Sequence, residues 1–457
     1  MGYLSPVDAA FLRMESSRTP MHVGGLMVFK LPKDAPAEYL RVLFDRIRQS
    51  SVKTYPFNCK LKKGGLLNKG PSWEPDPNID IDYHVRHSAL PYPGGERELG
   101  VLVARLHSHP LDLTRPLWEF HLIEGLENDR FAFYLKAHHS AVDGMGAMKM
   151  VKRWLSTDPD ADNGYAPWAT PLPEIVRNDF EKPGRLESIR TQLNSSGELI
   201  KLMMKMSKPS ENPEGGMLSA IHTPKSRFNL HVGQQRRLAT QLFDMERFHD
   251  LSVATGTTIN DIALSIIGDA CRRYLLELED LPDQPLIASI PIGLQRADGQ
   301  PGNAVAGFVC PLFTEQDDQL SRVKTIHAIT QRTKDQLKGM SKSAMTQFSI
   351  LGLSPLMLGQ MTGLGTVLPP FFNLVVSNVV ASREKLYLAG SEMEAMYPIS
   401  ILFDGYALNV TIVGYADRIA LGFTGCREAI PSLQRLAVYT GEALEKLEER
   451  VMGNERN

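Results

Sequence analysis

Apolar positions recur at two different periods along the chain, and in the first third the two alternate. Residues 21–31 read as a strand carrying a glycine pair, and residues 37–49 as an amphipathic helix. Residues 96–107 place Leu99, Leu102, Val103 and Leu106 on one helical face. Two strand patterns, 119–123 and 131–137, flank the polar turn Glu127-Asn128-Asp129 and predict a hairpin, and residues 147–155 then resume helical spacing. In the second half, strand patterns at 237–243, 286–292 and 372–380 are mixed with helices at Met245–Thr255 and Ile259–Glu277. A further hairpin, 408–415 with 419–424, turns at Ala416-Asp417-Arg418, and residues 432–451 close the chain as an amphipathic helix. Strands and helices mixed in both halves predict an α/β fold of packed layers.

Between the halves the pattern fails. From about 158 to 234, Pro, Asn, Asp, Ser and Gly accumulate, which marks a linker and divides the chain into 1–157, 158–234 and 235–457. Residues 186–206 are the exception within it. A helix there would carry Ile189, Leu193, Ile200, Met203 and Met204 on one side with Lys201, Lys205 and Lys208 nearby, suited to a lipid interface or to packing on the protein.

Composition narrows the classes. At 457 residues the chain is long enough for two domains, and a net charge of −2 without a Lys/Arg tract argues against nucleic acid as a partner. Cys59, Cys271, Cys310 and Cys426 are scattered, which fits buried thiols in a reducing cytosol rather than disulfides or a zinc cage. The N-terminus lacks a basic segment followed by an apolar one, and Pro6 stands where a myristoylation motif wants Ser or Thr. No apolar run approaches the ~20 residues that span a bilayer. The expected location is cytoplasmic, with peripheral contact at the inner membrane face or lipid inclusions.

The candidate chemistry sits at Lys136-Ala137-His138-His139-Ser140-Ala141-Val142-Asp143-Gly144. A strand delivers two adjacent histidines to its end, and such an imidazole can take a proton from a hydroxyl nucleophile. Successive strand side chains point to opposite faces, so one histidine is expected to be the base and the other structural. Asp143 would either bond a ring nitrogen or hold the loop by an ion pair. Gly144 would allow a backbone conformation closed to bulkier residues. His, His and Asp are also metal ligands, but His107 with His109 and His84 with His87 form no second cluster of the usual form, so no metal is expected.

His138-His139-x-x-x-Asp143-Gly144 resembles the signature of the bacterial wax ester synthase/diacylglycerol acyltransferases, within the wider group of chloramphenicol acetyltransferase-like acyltransferases. The resemblance extends from Leu4-Ser5-Pro6-x-Asp8-x-x-Phe11 and Met21-His22-Val23-Gly24 through Pro116-Leu117-Trp118, Asn260-Asp261 and Gly302-Asn303. It continues at Ser377-Asn378-Val379 and ends at Tyr439-Thr440-Gly441-Glu442. One departure stands out: Val380-Ala381-Ser382 follows where the family has Pro-Gly, so a tight turn there is expected to be reshaped.

The resemblance implies two chloramphenicol acetyltransferase-like sheet-and-helix domains with an active-site tunnel between them. It implies transfer of a fatty acyl group from acyl-CoA, a substrate rather than a cofactor, to a long-chain alcohol or a diacylglycerol. No other cofactor is called for, because a thioester is already activated. On this reading His139 is the base, His138 a supporting or substrate-positioning residue, and Asn260 the oxyanion donor. Pro116, Leu117, Trp118, Gly144, Asp261 and Asn378 are tunnel or substrate candidates. The alternatives are an acyltransferase for a polyketide or glycolipid hydroxyl, and an idle lipid- or acyl-CoA-binding protein of the same fold.

Overall fold

The structure, a computed structural model, describes residues 4, 6–62, 71–170, 223–293, 305–338, 356–357, 359–363 and 365–453. In chain order, helix α1 (Pro6–Met14) and strand β1 (His22–Lys30) are followed by α2 (Tyr39–Gln49), β2 (Cys59–Lys62) and β3 (Ser72–Pro75). Next come α3 (Ile81–His84), β4 (Val85–Ala89), α4 (Glu96–Ser108), β5 (Trp118–Leu126), β6 (Arg130–His138) and α5 (Gly144–Trp154). The second half holds β7 (Arg236–Asp244), α6 (Met245–Thr255), α7 (Ile259–Glu277), β8 (Ile287–Gly293), β9 (Val305–Pro311) and α8 (Gln319–Lys338). Strands β10 (Leu374–Ser382), β11 (Tyr387–Leu388), β12 (Ser391–Ile399), β13 (Leu408–Tyr415) and β14 (Arg418–Cys426) precede the closing helix α9 (Gln434–Met452).

Two six-stranded sheets organise these elements, in the orders β11-β12-β1-β6-β5-β4 and β7-β14-β13-β10-β8-β9. The first sheet does not obey the linear division read from the sequence. Strand β12, from deep in the C-terminal half, pairs antiparallel with β1 and so completes the N-terminal sheet. Backbone contact seals the crossing, since a Cβ on Gly422 of β14 would lie 2.4 Å from the Pro398 carbonyl oxygen of β12. No side chain fits there.

Segments read as linker are also part of the core. Trp168 is fully buried against Phe57, Trp118 and Phe120, and its indole N–H donates to the Ser50 carbonyl at 3.1 Å. Phe228 and Val232 are likewise buried in the second core. These aromatic and β-branched residues outweigh the Pro- and Gly-rich composition around them. The candidate helix at 186–206 lies outside the described residues. No single helix among the described residues is long and apolar enough to cross a membrane. Helices α6 and α7 pass that test only as a pair bent by 100°.

Several polar groups buried in the N-terminal sheet are paired. Glu119 and Lys136 face each other across β5 and β6 with 2.9 Å between Oε2 and Nζ. Burial alone would raise the Glu119 carboxyl, but the bond to His121 and the Lys136 charge carry it down to about 2. Tyr134 is buried with its hydroxyl 2.8 Å from His107 Nδ1, and Gly24 leaves room for its ring. A Cβ on Gly24 would stand 2.7 Å from Tyr134 Cε2. Gly24→Ala is therefore expected to cost about 1–3 kcal/mol by overpacking, read as a lower urea midpoint at unchanged slope. An unchanged midpoint would mean the ring swings aside freely.

Candidate active site

The two histidines end β6, where His22 of β1 is registered opposite His138. His138 is fully buried, and both ring nitrogens are engaged. The Ser140 main-chain N–H donates to Nδ1 at 3.1 Å, so Nδ1 is the acceptor and the ring proton sits on Nε2. Ser140 Oγ lies 2.7 Å from the same Nδ1. Nε2–H then donates to Glu15 Oε2 at 3.3 Å. With both nitrogens committed, His138 fits the supporting role rather than that of the base.

His139 differs in each respect. Its main-chain N–H donates to the Met21 carbonyl at 2.8 Å, and its ring stacks on Phe11 of α1 with centroids 4.3 Å apart. Protein packs around the ring, yet the residue retains some contact with solvent. Burial lowers its pKa to about 4, a bond to its own main chain works the other way, and neighbouring His138 lowers it further. The imidazole is accordingly neutral at pH 7, the form in which it accepts a proton.

Glu15 emerges as a residue the sequence reading missed. Its Oε2 accepts from His138 Nε2 and from the Met21 main-chain N–H, and Met21 in turn accepts from the His139 N–H. One carboxylate thus ties α1 to the start of β1 and to the histidine pair. The only sequence signal was its place four residues after Phe11, one helical turn along. Glu15→Ala is expected to lower kcat about tenfold while leaving KM for the acyl donor within twofold, by loosening the main chain that aims His139. Steady-state kinetics against both substrates checks this, and unchanged kcat would reduce Glu15 to a packing residue.

Asp143 is the N-cap of α5, its Oδ1 accepting from the Gly146 N–H at 2.6 Å. This cap fixes the loop. The expectation for Gly144 is corrected: as the first residue of α5 it has no left-handed backbone, and a Cβ there would meet Val379 Cγ1 at an ordinary 3.7 Å. That proximity matters more. It places the turn after the histidines, from the first sheet's half, against β10 of the second sheet.

Beside Val379, Asn378 Nδ2 donates to Asn260 Oδ1 at 3.3 Å. With its oxygen engaged, the Nδ2 group is the half of the Asn260 amide left to donate. Helix α7 does not need Asn260 as a cap. Thr258 is the N-cap, and Asp261 closes a capping box with it. Asp261 is corrected from a tunnel candidate to a fully buried structural carboxylate. It accepts from Thr258 Oγ1 at 2.6 Å and Thr330 Oγ1 at 2.7 Å, and His327 Nδ1 lies 2.7 Å away.

Pro116, Leu117 and Trp118, tunnel candidates in the sequence, are all buried. The Trp118 indole N–H donates to the Phe57 carbonyl at 2.9 Å, and its ring stacks on His84. Leu117 supports the site through its main chain, its carbonyl accepting from the His138 N–H at 3.0 Å. The segment after Val379, where the family's tight turn was expected to be reshaped, is strand. Val380 pairs with Gly414 and Ser382 with Tyr415, so β10 runs on past a register shift. Without Pro, nothing removes the ladder donor that would have ended it. Among the described residues, no group of three or more His, Cys, Asp or Glu side chains is placed to hold a metal ion.

Comparison with known proteins agrees across the whole chain. Residues 4–263 match the family described as wax ester synthase/diacylglycerol acyltransferase catalytic domain, and residues 301–448 match its C-terminal domain. A putative diacylglycerol O-acyltransferase of Mycobacterium tuberculosis is 46% identical over 98% of this chain and 99% of its own. An O-acyltransferase WSD of Acinetobacter baylyi is 36% identical over 97% and 96%. Among solved structures, the wax ester synthase/diacylglycerol acyltransferase from Marinobacter aquaeolei VT8 superposes with a TM-score of 0.80 at 35% identity, covering 99% of this chain and 100% of that one. The first condensation domain of the CDA synthetase shares the fold, with a TM-score of 0.62 at 16% identity over 98% and 95% of the two chains.

Proposed function

The chain belongs to the wax ester synthase/diacylglycerol acyltransferase family and is an O-acyltransferase, and we propose that His139 is the base with which it moves a fatty acyl group from acyl-CoA to a long-chain alcohol or a diacylglycerol. The observation that supports this assignment is the approach of His139's loop, at Gly144, to Val379 of β10, next in sequence to the Asn378 that bonds Asn260.

In the proposed step, neutral His139 takes the proton of the acceptor hydroxyl as its oxygen attacks the thioester carbonyl. A C–O bond forms, and the carbonyl oxygen gathers negative charge, to which Asn260 Nδ2 donates. Collapse of this intermediate breaks the C–S bond, and the proton held by His139 passes to the departing CoA thiolate. Atoms and charge balance without an enzyme nucleophile or a metal. Glu15 and Asp143 hold the loop, and Asn378 orients the Asn260 amide. Both acceptor classes are poorly soluble, so the protein meets them at a membrane or lipid-inclusion surface.

The test is thiol release from palmitoyl-CoA with hexadecanol, with a diacylglycerol, or with no acceptor. Release that depends on either acceptor supports the reading. Equal release in all three overturns it in favour of an idle binding protein or a simple hydrolase.

A further inference from the structure

Asp404 organises a surface cluster next in sequence to Phe403, which packs against the same apolar cluster as Phe11, the residue stacked on His139. Its carboxylate lies 3.1 Å from His231 Nδ1 and accepts from the Val232 main-chain N–H at 2.9 Å, and Arg18 stands 3.9 Å away. The Asp404 main chain exchanges two 2.8 Å hydrogen bonds with the Gln360 side chain, and His231 Nε2 lies 2.9 Å from Thr366 Oγ1. Gly405 is left-handed at φ +83, and a Cβ there would come within 2.8 Å of the Gly365 carbonyl oxygen. The Asp404 carboxylate thus holds residues 231–232, its main chain holds Gln360, and His231 holds Thr366.

What those anchors present outward is apolar. Met361 follows Gln360, Val367 and Leu368 follow Thr366, and Leu230 precedes His231; all four side chains are exposed, Val367 by 69% and Met361 by 59%. Beside them, Arg18 and His231 have side chains more than half exposed, whereas Asp404 is buried. Met357, Phe11, Val23 and Phe403 all pack against one buried cluster of Met14, Met21 and Ile401. Exposed large hydrophobics near the cationic Arg18 fit a phospholipid surface, which takes apolar side chains below its anionic headgroups. We infer that this Asp404-organised patch is the face by which the protein sits on a lipid surface. The inference rests on the acyltransferase reading for its purpose, but its test does not.

Flotation with phosphatidylcholine vesicles, with or without phosphatidylglycerol, measures it. The double variant V367D/L368D should partition on the order of tenfold less to both vesicle types, since it loses two exposed apolar side chains that would enter the bilayer. Arg18→Gln should lose about fivefold on phosphatidylglycerol vesicles alone. Val253→Asp and Val438→Asp, which change exposed valines on α6 and α9, should float as the parent does. Thiol release with a short soluble alcohol should be unchanged in V367D/L368D, while turnover of vesicle-borne diacylglycerol should fall. Flotation equal to the parent, or lost equally in the α6 and α9 controls, overturns the inference. So does a change in oligomeric mass without a change in flotation, which would make a second copy the occupant. Failure of the acyltransferase reading would show separately, as no acceptor-dependent release in the parent protein.

Discussion

His139→Ala is expected to lower kcat for acyl transfer by about 10²–10⁴-fold, the range a positioned general base supplies. The variant should still fold, because the ring's stack on Phe11 is given up while the His139 N–H to Met21 link is untouched. Intact urea unfolding with lost thiol release would therefore locate the defect in chemistry. His138→Ala should lose activity together with stability, since it strands Glu15 and Ser140 in a buried site. Residual activity in His139→Ala within threefold of the parent would remove His139 from the mechanism.

The pH dependence sharpens this expectation. An imidazole with an ordinary pKa near 6.5 would be only about 9% neutral at pH 5.5, and the rate would have dropped roughly tenfold. With the His139 value lowered to about 4, nearly all of it remains neutral at pH 5.5. The kcat/KM profile should stay flat from pH 8 to 5.5, with its acid limb nearer 4. Stability carries the matching sign. The folded-state value lies below the unfolded one of 6.5, so the His139 contribution is complete above pH 6.5 and is lost as pH falls toward 4.

The second large effect is expected at Asn260. Asn260→Ala should lower kcat about 10²–10³-fold, as loss of one oxyanion donor does, with little change in KM. Stability is the control that gives this prediction its meaning. An asparagine at a helix start is ordinarily a cap, and its loss would cost about 1 kcal/mol. Here Thr258 and Asp261 already cap α7, so Asn260→Ala should unfold at the parent's urea midpoint. Asn378→Ala, which only orients the amide, should fall less far. Loss of stability in Asn260→Ala with kcat retained would return Asn260 to a structural role.

Much of the fold was legible because its signals are local. The helices Met245–Thr255 and Ile259–Glu277 follow from periodicity, and the β13–β14 hairpin from two strand patterns around a polar turn. Strand β12 was not legible. Glu392 and Glu394 interrupt its apolar pattern, Pro398 argues against a central strand, and its partner β1 lies more than 360 residues away. Helix α8 was missed because Lys, Gln, Arg and Thr dilute its apolar face. In the site, the histidines announced themselves as a motif, whereas Glu15 and Phe11 acquire a role only when α1 folds back onto the end of β6. Trp118 read as a tunnel candidate because a motif shows that a residue matters without showing whether it touches substrate or holds up a neighbour.

The crossing of β12 has a consequence for how the molecule comes into being. When the ribosome has made the first half, the strand that pairs with the histidine-bearing β6 is itself half-paired, and β1 offers a bare edge. That edge stays open until residue 399 has emerged, long after the catalytic motif has been synthesised. Such an edge invites pairing with other chains. Sheet closure requires contacts between distant parts of the chain and is correspondingly slow. The last third of the protein therefore acts toward the first as a built-in folding partner, and a gene cut between the halves would separate the histidines from the strand that finishes their sheet.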